Sequence, residues 1–288
     1  MMKKFSLTIK QRNAIAGYLF ILPWIIGFLL FTLYPVILSI RLSFNDVRIS
    51  EGISLSFSGW KYYYEALNVD TQFKTNLGET VIFICCATPI IIVFSLVIAM
   101  LLNGKYPLRT LFRGIFFLPV IIMSGPVISD LMSQYSVDLS KLSPLIYDFI
   151  NNLPGFIKTP ILFSLNNLVL ILWFSGVQIL LFLAGLQKVG REVYEAASID
   201  GATGWEKFWK ITLPHIKPMA LINSVYTVME IANYANNSVN TKISSHLLEV
   251  NRPYSFSAAM SWIYFMVILL LLLAAYIIFN GWKRRDKE

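Results

Sequence analysis

Charge is scarce in this chain. Only 14% of its 288 residues are Asp, Glu, Lys or Arg, whereas 56% are hydrophobic and the mean hydropathy is +0.63. Soluble domains carry about 25% charged residues, so a water-soluble globular architecture is excluded. Cysteine is almost absent: Cys85 and Cys86 stand side by side in an apolar run. They offer neither a disulfide framework nor a metal site and read as small packing residues. Histidine is limited to His215 and His246, which excludes a histidine metal cluster. A phosphate-binding loop is also missing. Such a loop needs Gly, four residues and then Gly-Lys-Ser/Thr, because backbone N–H groups and the lysine hold the phosphates. The nearest fragment runs from Gly185 to Gly190 and continues into Arg191-Glu192, without the lysine or the hydroxyl. The apolar runs hold isolated polar residues rather than paired acids or a nucleophile dyad, so no catalytic residue is assigned.

What is present is a series of long apolar runs. A membrane span needs about 20 mostly apolar residues. Six stretches qualify: residues 14–44, 76–103, 109–134, 160–187, 216–236 and 257–282. The first follows Lys3, Lys4, Lys10 and Arg12 as a signal peptide would. It is too long for a signal core, and no small-residue cleavage site follows it, so it is expected to be retained. Pro23 and Pro35 are expected to kink it. The basic residues set the orientation. Of the 24 lysines and arginines, sixteen flank one side of these runs. Seven flank the other: Arg48, Lys61, Lys74, Lys141, Lys158, Lys242 and Arg252. Arg41 lies at a span end. This bias predicts both termini in the cytoplasm. The net charge of +8 comes from these short loops, so nucleic acid is not an expected partner and membrane lipid is.

The polar stretch at residues 195–214 lies between the fourth and fifth runs. Glu195, Ala196 and Ala197 suit a helix interior. Gly201 takes a left-handed turn without steric cost, and Asp200 precedes it. The stretch therefore reads as two short helices broken at Asp200-Gly201, with Pro214 closing the second piece before the next run. Crossing a bilayer does not need a structured helix-turn-helix, and the orientation above puts this one in the cytoplasm. It suggests a docking surface. Trp205, Phe208 and Trp209 add a bulky apolar face, for docking or for packing at the membrane surface.

The spacing Glu195-Ala196-Ala197, three residues, Gly201, nine residues, Ile211, one residue, Leu213-Pro214 resembles the "EAA" loop of binding-protein-dependent ABC importer permeases. Other segments share the resemblance: Tyr18 to Trp24 running on to Tyr34-Pro35 and Phe44, Gly59 to Tyr63, Pro107 to Arg113 leading into Phe117-Leu118-Pro119, and Leu183 to Gln187. Together they point to the carbohydrate-uptake branch and to the maltose-type or glycerol-phosphate-type first permease of a pair. One stretch departs from the pattern. Where many such permeases carry Gly-Gly-Gly-Pro after the fifth span, this chain has Asn236-Asn237-Ser238-Val239-Asn240-Thr241.

The resemblance implies an all-α membrane protein with the type I ABC importer permease fold. It would form one transmembrane permease domain over residues 1–288, with residues 188–215 as its cytoplasmic coupling loop. Glu195, Ala196, Ala197, Asp200, Gly201, Ile211, Leu213 and Pro214 would couple it to an ATPase. The implied partners are a second homologous permease, two ATP-binding subunits and an extracytoplasmic solute-binding protein that delivers a sugar-like solute. ATP and Mg would be bound by those partners, with no cofactor in this chain. The implied location is a prokaryotic cytoplasmic membrane.

Within the fifth run, Asn223, Tyr226, Glu230, Asn233 and Asn237 fall at offsets 0, 3, 7, 10 and 14. That spacing places them on one helical face. Polar groups facing lipid are costly, so the stripe is expected to face protein or a water-filled path. Gln178 in the fourth run is a candidate for the same cavity. Asn223, Tyr226, Glu230, Asn233 and Gln178 are therefore the expected substrate-path residues, with interhelical hydrogen bonding as the other reading. Two other functions fit the sequence less well. A secondary transporter working without ATPase subunits predicts inverted repeats and broken midplane helices, and the sequence shows neither. An intramembrane enzyme needs the catalytic groups that are missing.

Overall fold

The computed structural model describes residues 8–49, 53–104, 111, 114, 150, 152–234, 236–248 and 254–285. The expected third span, residues 109–134, lies outside the described residues apart from two positions. The chain divides into two compact units, residues 1–73 with 243–263, and residues 74–242 with 264–288.

The first unit opens with helix α1, Ile9–Phe28. Thr8 caps it: the Thr8 hydroxyl accepts from the Gln11 N–H, and the Gln11 side chain accepts from the Thr8 N–H. This reciprocal pair satisfies two orphan donors of the first turn. The helix continues through a widened turn, Leu29–Leu33, into α2, Tyr34–Ser43. The turn is widened for a reason written in the sequence. Pro35 has no N–H to give to the carbonyl four residues back, and its ring would strike that carbonyl. An i→i+5 turn relieves both problems without ending the helix. The 35-residue rod Ile9–Ser43 exposes its apolar surface all round.

After α2 the chain forms a hairpin of β1, Asn45–Ile49, and β2, Ile53–Phe57, antiparallel with Asn45 opposite Phe57. A short helix α3, Lys61–Tyr64, follows. Gly59 before it sits at φ +59°, and the Ser58 and Gly59 N–H groups both donate to the Phe44 carbonyl. The unit's interior holds Tyr62, Ala66, Phe73, His246 and Phe256. Tyr62 donates to Asp46 Oδ1 at 2.9 Å, and His246 Nε2 lies 3.7 Å from Asp70 Oδ2. The hairpin departs from an all-helical expectation. Val47, Ile49, Ile53, Leu55 and Phe57 alternate with polar residues at the two-residue period of a half-buried strand. The rest of the described chain is helical or loop.

The second unit contains most of α4, Thr71–Asn103. It also holds α5, Gly155–Asn166, α6, Leu168–Phe174, and α7, Gly176–Leu186. Helices α6 and α7 meet at a 47° bend at Ser175. Next come α8, Arg191–Ile199, α9, Gly204–Lys207, and α10, Leu213–Ala232. Helix α11, Ser238–Leu248, and the 32-residue α12, Tyr254–Arg285, follow, each divided between the two units. Among the described residues, three helices are long and apolar enough to cross a membrane, or four if the bent α6–α7 pair counts as one. Helix α10 has the length to cross, at 20 residues. It carries the polar groups that lower its hydropathy.

Helix α7 packs on α10. Their core joins Ile179, Phe182, Leu183 and Leu186 to Ile216, with Ala99 and Leu102 of α4. Helices in lipid gain little from hiding apolar surface from water, so close packing and polar contacts hold them together. Gly185 supplies the closeness: a Cβ there would lie 2.7 Å from Met219 Cγ.

Candidate functional site

The expected coupling segment is built as a stiff elbow. Helix α8 ends at Asp200, and Gly201 follows at φ +79°. The Ala202 N–H donates to the Ala197 carbonyl at 2.9 Å, and the Gly201 N–H donates to Ser198 at 3.2 Å. This crossed pair is the Schellman closure, which needs a left-handed residue and so selects glycine. Two residues later a new helix starts at once. Thr203 accepts from the Glu206 N–H, and Glu206 accepts from the Thr203 N–H at 2.9 Å. The Thr203 backbone bond, then its hydroxyl and Lys210, hold the Glu206 carboxyl below the usual carboxylate range.

The second piece does not stop at Pro214, contrary to the sequence expectation. From Gly204 the helix passes through a widened turn, Phe208–Thr212, straight into α10. The cause matches that at Pro35. This turn and Leu29–Leu33 both end two residues before a proline, whereas the widened turn Glu65–Val69 has no proline beside it; Pro214 sits in the first turn of α10, where its missing N–H is harmless. The elbow is thus continuous with the helix that carries the polar stripe.

Much of the elbow's surface is exposed. Glu195 and Ala196 are exposed, Ala197 half-buried, and Ile199 is 86% exposed. Asp200, Gly201 and Pro214 are also exposed, whereas Ile211 is half-buried and Leu213 packs on the α7–α10 core. Trp205, Phe208 and Trp209 cluster with ring centroids 5.3–6.3 Å apart, and Trp205 stays 71% exposed.

Part of the expected stripe converges deeper along α10. Gln178, Asn223 and Thr227 are fully buried. The Gln178 amide donates to Thr227 Oγ1 and to Glu230 Oε2, both at 3.0 Å. Asn223 donates back to the Gln178 carbonyl at 3.3 Å. Tyr226 and Asn233 do not join. Tyr226 is 37% exposed, and exposed Asn233 folds back on the Met229 carbonyl. The angles explain the split. At about 100° per residue, Tyr226 and Asn233 lie about 60° and 80° to one side of Asn223, and Thr227 lies about 40° to the other. The stripe straddles the edge of the α7 contact. Thr227 was missed by the sequence reading. Its signal was a hydroxyl one turn after Asn223.

The C-terminal end of α10 is tied down by asparagines. Asn237 Oδ1 accepts from Thr80 and from the Val239 N–H, and its amide reaches the Ile231 carbonyl and Tyr264. Asn240 donates to the carbonyls of Ala232 and Tyr234. Tyr264 also donates to Ala232. The stretch that departs from Gly-Gly-Gly-Pro is therefore a hydrogen-bonded knot.

Long apolar helices, together with an exposed elbow that runs without a break into a helix carrying buried polar groups, suit a membrane-embedded transport subunit. The chain belongs to the binding-protein-dependent transport system inner membrane component family, whose sequence model matches residues 71–285. It is similar to a lactose transport system permease protein of Rhizobium radiobacter, 27% identical over 96% of this chain and 97% of that one. A trehalose/maltose transport system permease protein of Thermococcus litoralis is 32% identical over 74% of this chain and 72% of its own. Among solved structures, a bacterial alginate ABC transporter in complex with a pentasaccharide-bound periplasmic protein matches with a TM-score of 0.62. The identity is 22%, and the match covers 96% of each chain. That likeness supports the fold. The chain is thus a non-catalytic permease component of a transport system in the inner membrane.

Proposed function

We propose that this chain is one of two homologous permeases in an ATP-driven importer of a sugar or oligosaccharide. It would cross the membrane six times with both termini in the cytoplasm, as one permease domain with residues 188–215 as its coupling loop. Two ATPase subunits hold ATP and Mg, and this chain holds no cofactor. An extracytoplasmic binding protein delivers the solute. The observation that carries this reading is the continuous helix from the Gly204 elbow to Glu230. Small, exposed Ala196 and the adjacent Glu195 carboxylate fit a groove with an arginine at its edge. ATP-driven closure of the ATPases then displaces the elbow. The α9–α10 rod carries that displacement to the polar groups at Gln178, Asn223 and Glu230. The exposed edge, Tyr226 and Asn233, offers a ring and an amide to sugar faces and hydroxyls. Sugar chemistry is favoured by the similarity to the lactose and trehalose/maltose transport permeases.

The test is affinity purification of the tagged chain from membranes that also contain candidate ATPase subunits. The ATPases should co-purify with wild type and be largely lost with Glu195→Lys. ATP hydrolysis should require the complex. Turnover by the isolated chain would overturn the division of labour.

A further inference from the structure

We propose that the hydroxyl pair Tyr194–Thr212 is the clasp that couples the elbow's first helix, α8, to the α9–α10 rod. It makes Tyr194 and Thr212 positioning residues for transport. The inference rests on the coupling reading above but concerns a different link, the one inside this chain.

Helix α8 is joined to α9 covalently only through the Asp200–Thr203 turn. The Schellman closure fixes the end of α8, and the Thr203–Glu206 box fixes the start of α9. Neither bond set crosses from one helix to the other. A load applied at Glu195 and Ala196 would therefore bend the turn unless something braces it. Two side-chain contacts cross the gap. Tyr194 Oη lies 2.9 Å from Thr212 Oγ1, and Lys207 Nζ donates to Ser198 Oγ at 2.6 Å.

Together these contacts close a loop. Thr212 Oγ1 also lies 3.3 Å from the Lys207 carbonyl, to which only a donor can bond. The single Thr212 proton goes there, so Tyr194 donates to Thr212. Ser198 Oγ likewise donates to the Tyr194 carbonyl at 2.7 Å and accepts from Lys207. The circuit runs from the Tyr194 hydroxyl to Thr212, on to the Lys207 carbonyl, through the Lys207 side chain to Ser198, and back to the Tyr194 carbonyl. It spans the elbow and the widened turn that Pro214 imposes.

The two braces are unequal. Ser198 is exposed, and an exposed contact of a long lysine holds little against water. Thr212 is 8% exposed and Tyr194 half-buried, so the Tyr194–Thr212 bond is sheltered. Its position adds leverage. Tyr194 is the residue before Glu195, and Thr212 is the last residue before α10. A push on the docking face is handed to the rod through one hydroxyl.

The test uses the assembled complex in proteoliposomes and the detergent-purified chain. Tyr194→Phe removes the hydroxyl and keeps the ring. Thr212→Val removes it and keeps the shape. Thr212→Ser keeps it. The expected result for Tyr194→Phe and Thr212→Val is normal ATPase co-purification with about fivefold less solute moved per ATP hydrolysed. That is the population shift of one neutral hydrogen bond of about 1 kcal/mol. The double variant should be no worse than either single one, and Thr212→Ser should stay near wild type. On the purified chain, amide exchange over residues 194–201 should be faster in the two hydroxyl-deleting variants and unchanged in Thr212→Ser. An unchanged ratio and unchanged exchange in Tyr194→Phe overturns the clasp. Faster exchange in a chain whose wild type shows no ATP-dependent uptake leaves the clasp in place and overturns the transport reading instead.

Discussion

Gly201 offers a sharp test of the elbow, because its substitution cost can be separated into parts. Its φ is +79°, and a Cβ built there meets no atom within 4 Å. Steric collision within this chain contributes nothing. The cost of a side chain is the backbone cost of the left-handed region, about 1–2 kcal/mol for an ordinary L-residue. Such a cost changes the population of the closed elbow by about five- to thirtyfold. A graded series follows. Asn tolerates the left-handed region, Ala carries the ordinary cost, and a β-branched residue is a genuine outlier there. Transport should fall in the order Gly201→Asn, Gly201→Ala, Gly201→Val, with the protein still inserted in the membrane. Because the space around Gly201 is open, an added side chain also has the chance to meet a partner. Amide exchange at Ala202, whose N–H bonds to Ala197, isolates the internal part when measured on the permease alone. It should speed up in the same order. Wild-type exchange and transport in Gly201→Val would refute the reasoning.

Other outcomes follow from the same geometry. Gly185→Val forces Met219 aside in the α7–α10 seam, since the first added carbon falls 2.7 Å from Met219 Cγ. It should destabilise by about 1–3 kcal/mol in thermal unfolding in detergent, and Met219→Ala should recover part of that loss. In a background lacking Cys85 and Cys86, cysteines at 226 and 233 should react with a water-soluble thiol reagent in assembled membranes, while those at 223 and 227 stay protected. Equal protection of all four would favour a purely structural role for the stripe. Glu206 has a carboxyl held below its ordinary 4.5, first by the Thr203 N–H. Its capping contribution is therefore fully present above 4.5 and lost as pH falls through the lowered value. Amide exchange at the start of α9 should rise only in that acid window, and Glu206→Gln should remove the dependence.

Much of this was legible in the residues. The turn at Gly201 follows from glycine after a helix-forming run, and its left-handed φ bears that out. Thr203-x-x-Glu206 carries the spacing of a capping box, a helix-start signal present in the residues themselves. Pro214 misled because a proline was taken as a stop. Proline is as much at home in a helix's first turn, and only the widened turn before it reveals which case applies. Asn223, Tyr226 and Glu230 fall on one side of α10, whereas Asn233 caps its end and Asn237 lies past it, and a face about 80° wide can straddle the edge of a helix contact. Sequence spacing does not say where the neighbour ends, so Tyr226 and Asn233 separated from Asn223 and Glu230. The hairpin at Asn45–Phe57 was lost because two five-residue strands give little alternation to read.

The central claim is that this chain moves solute only as part of an ATP-driven assembly. The most direct measurement is uptake of a labelled oligosaccharide into proteoliposomes containing this chain, a second permease, the ATPase subunits and the binding protein. The account predicts uptake that needs ATP and every component, and that falls when Glu195→Lys breaks the contact with the ATPase. Uptake by this chain alone, driven by an ion gradient and indifferent to ATP, would contradict it.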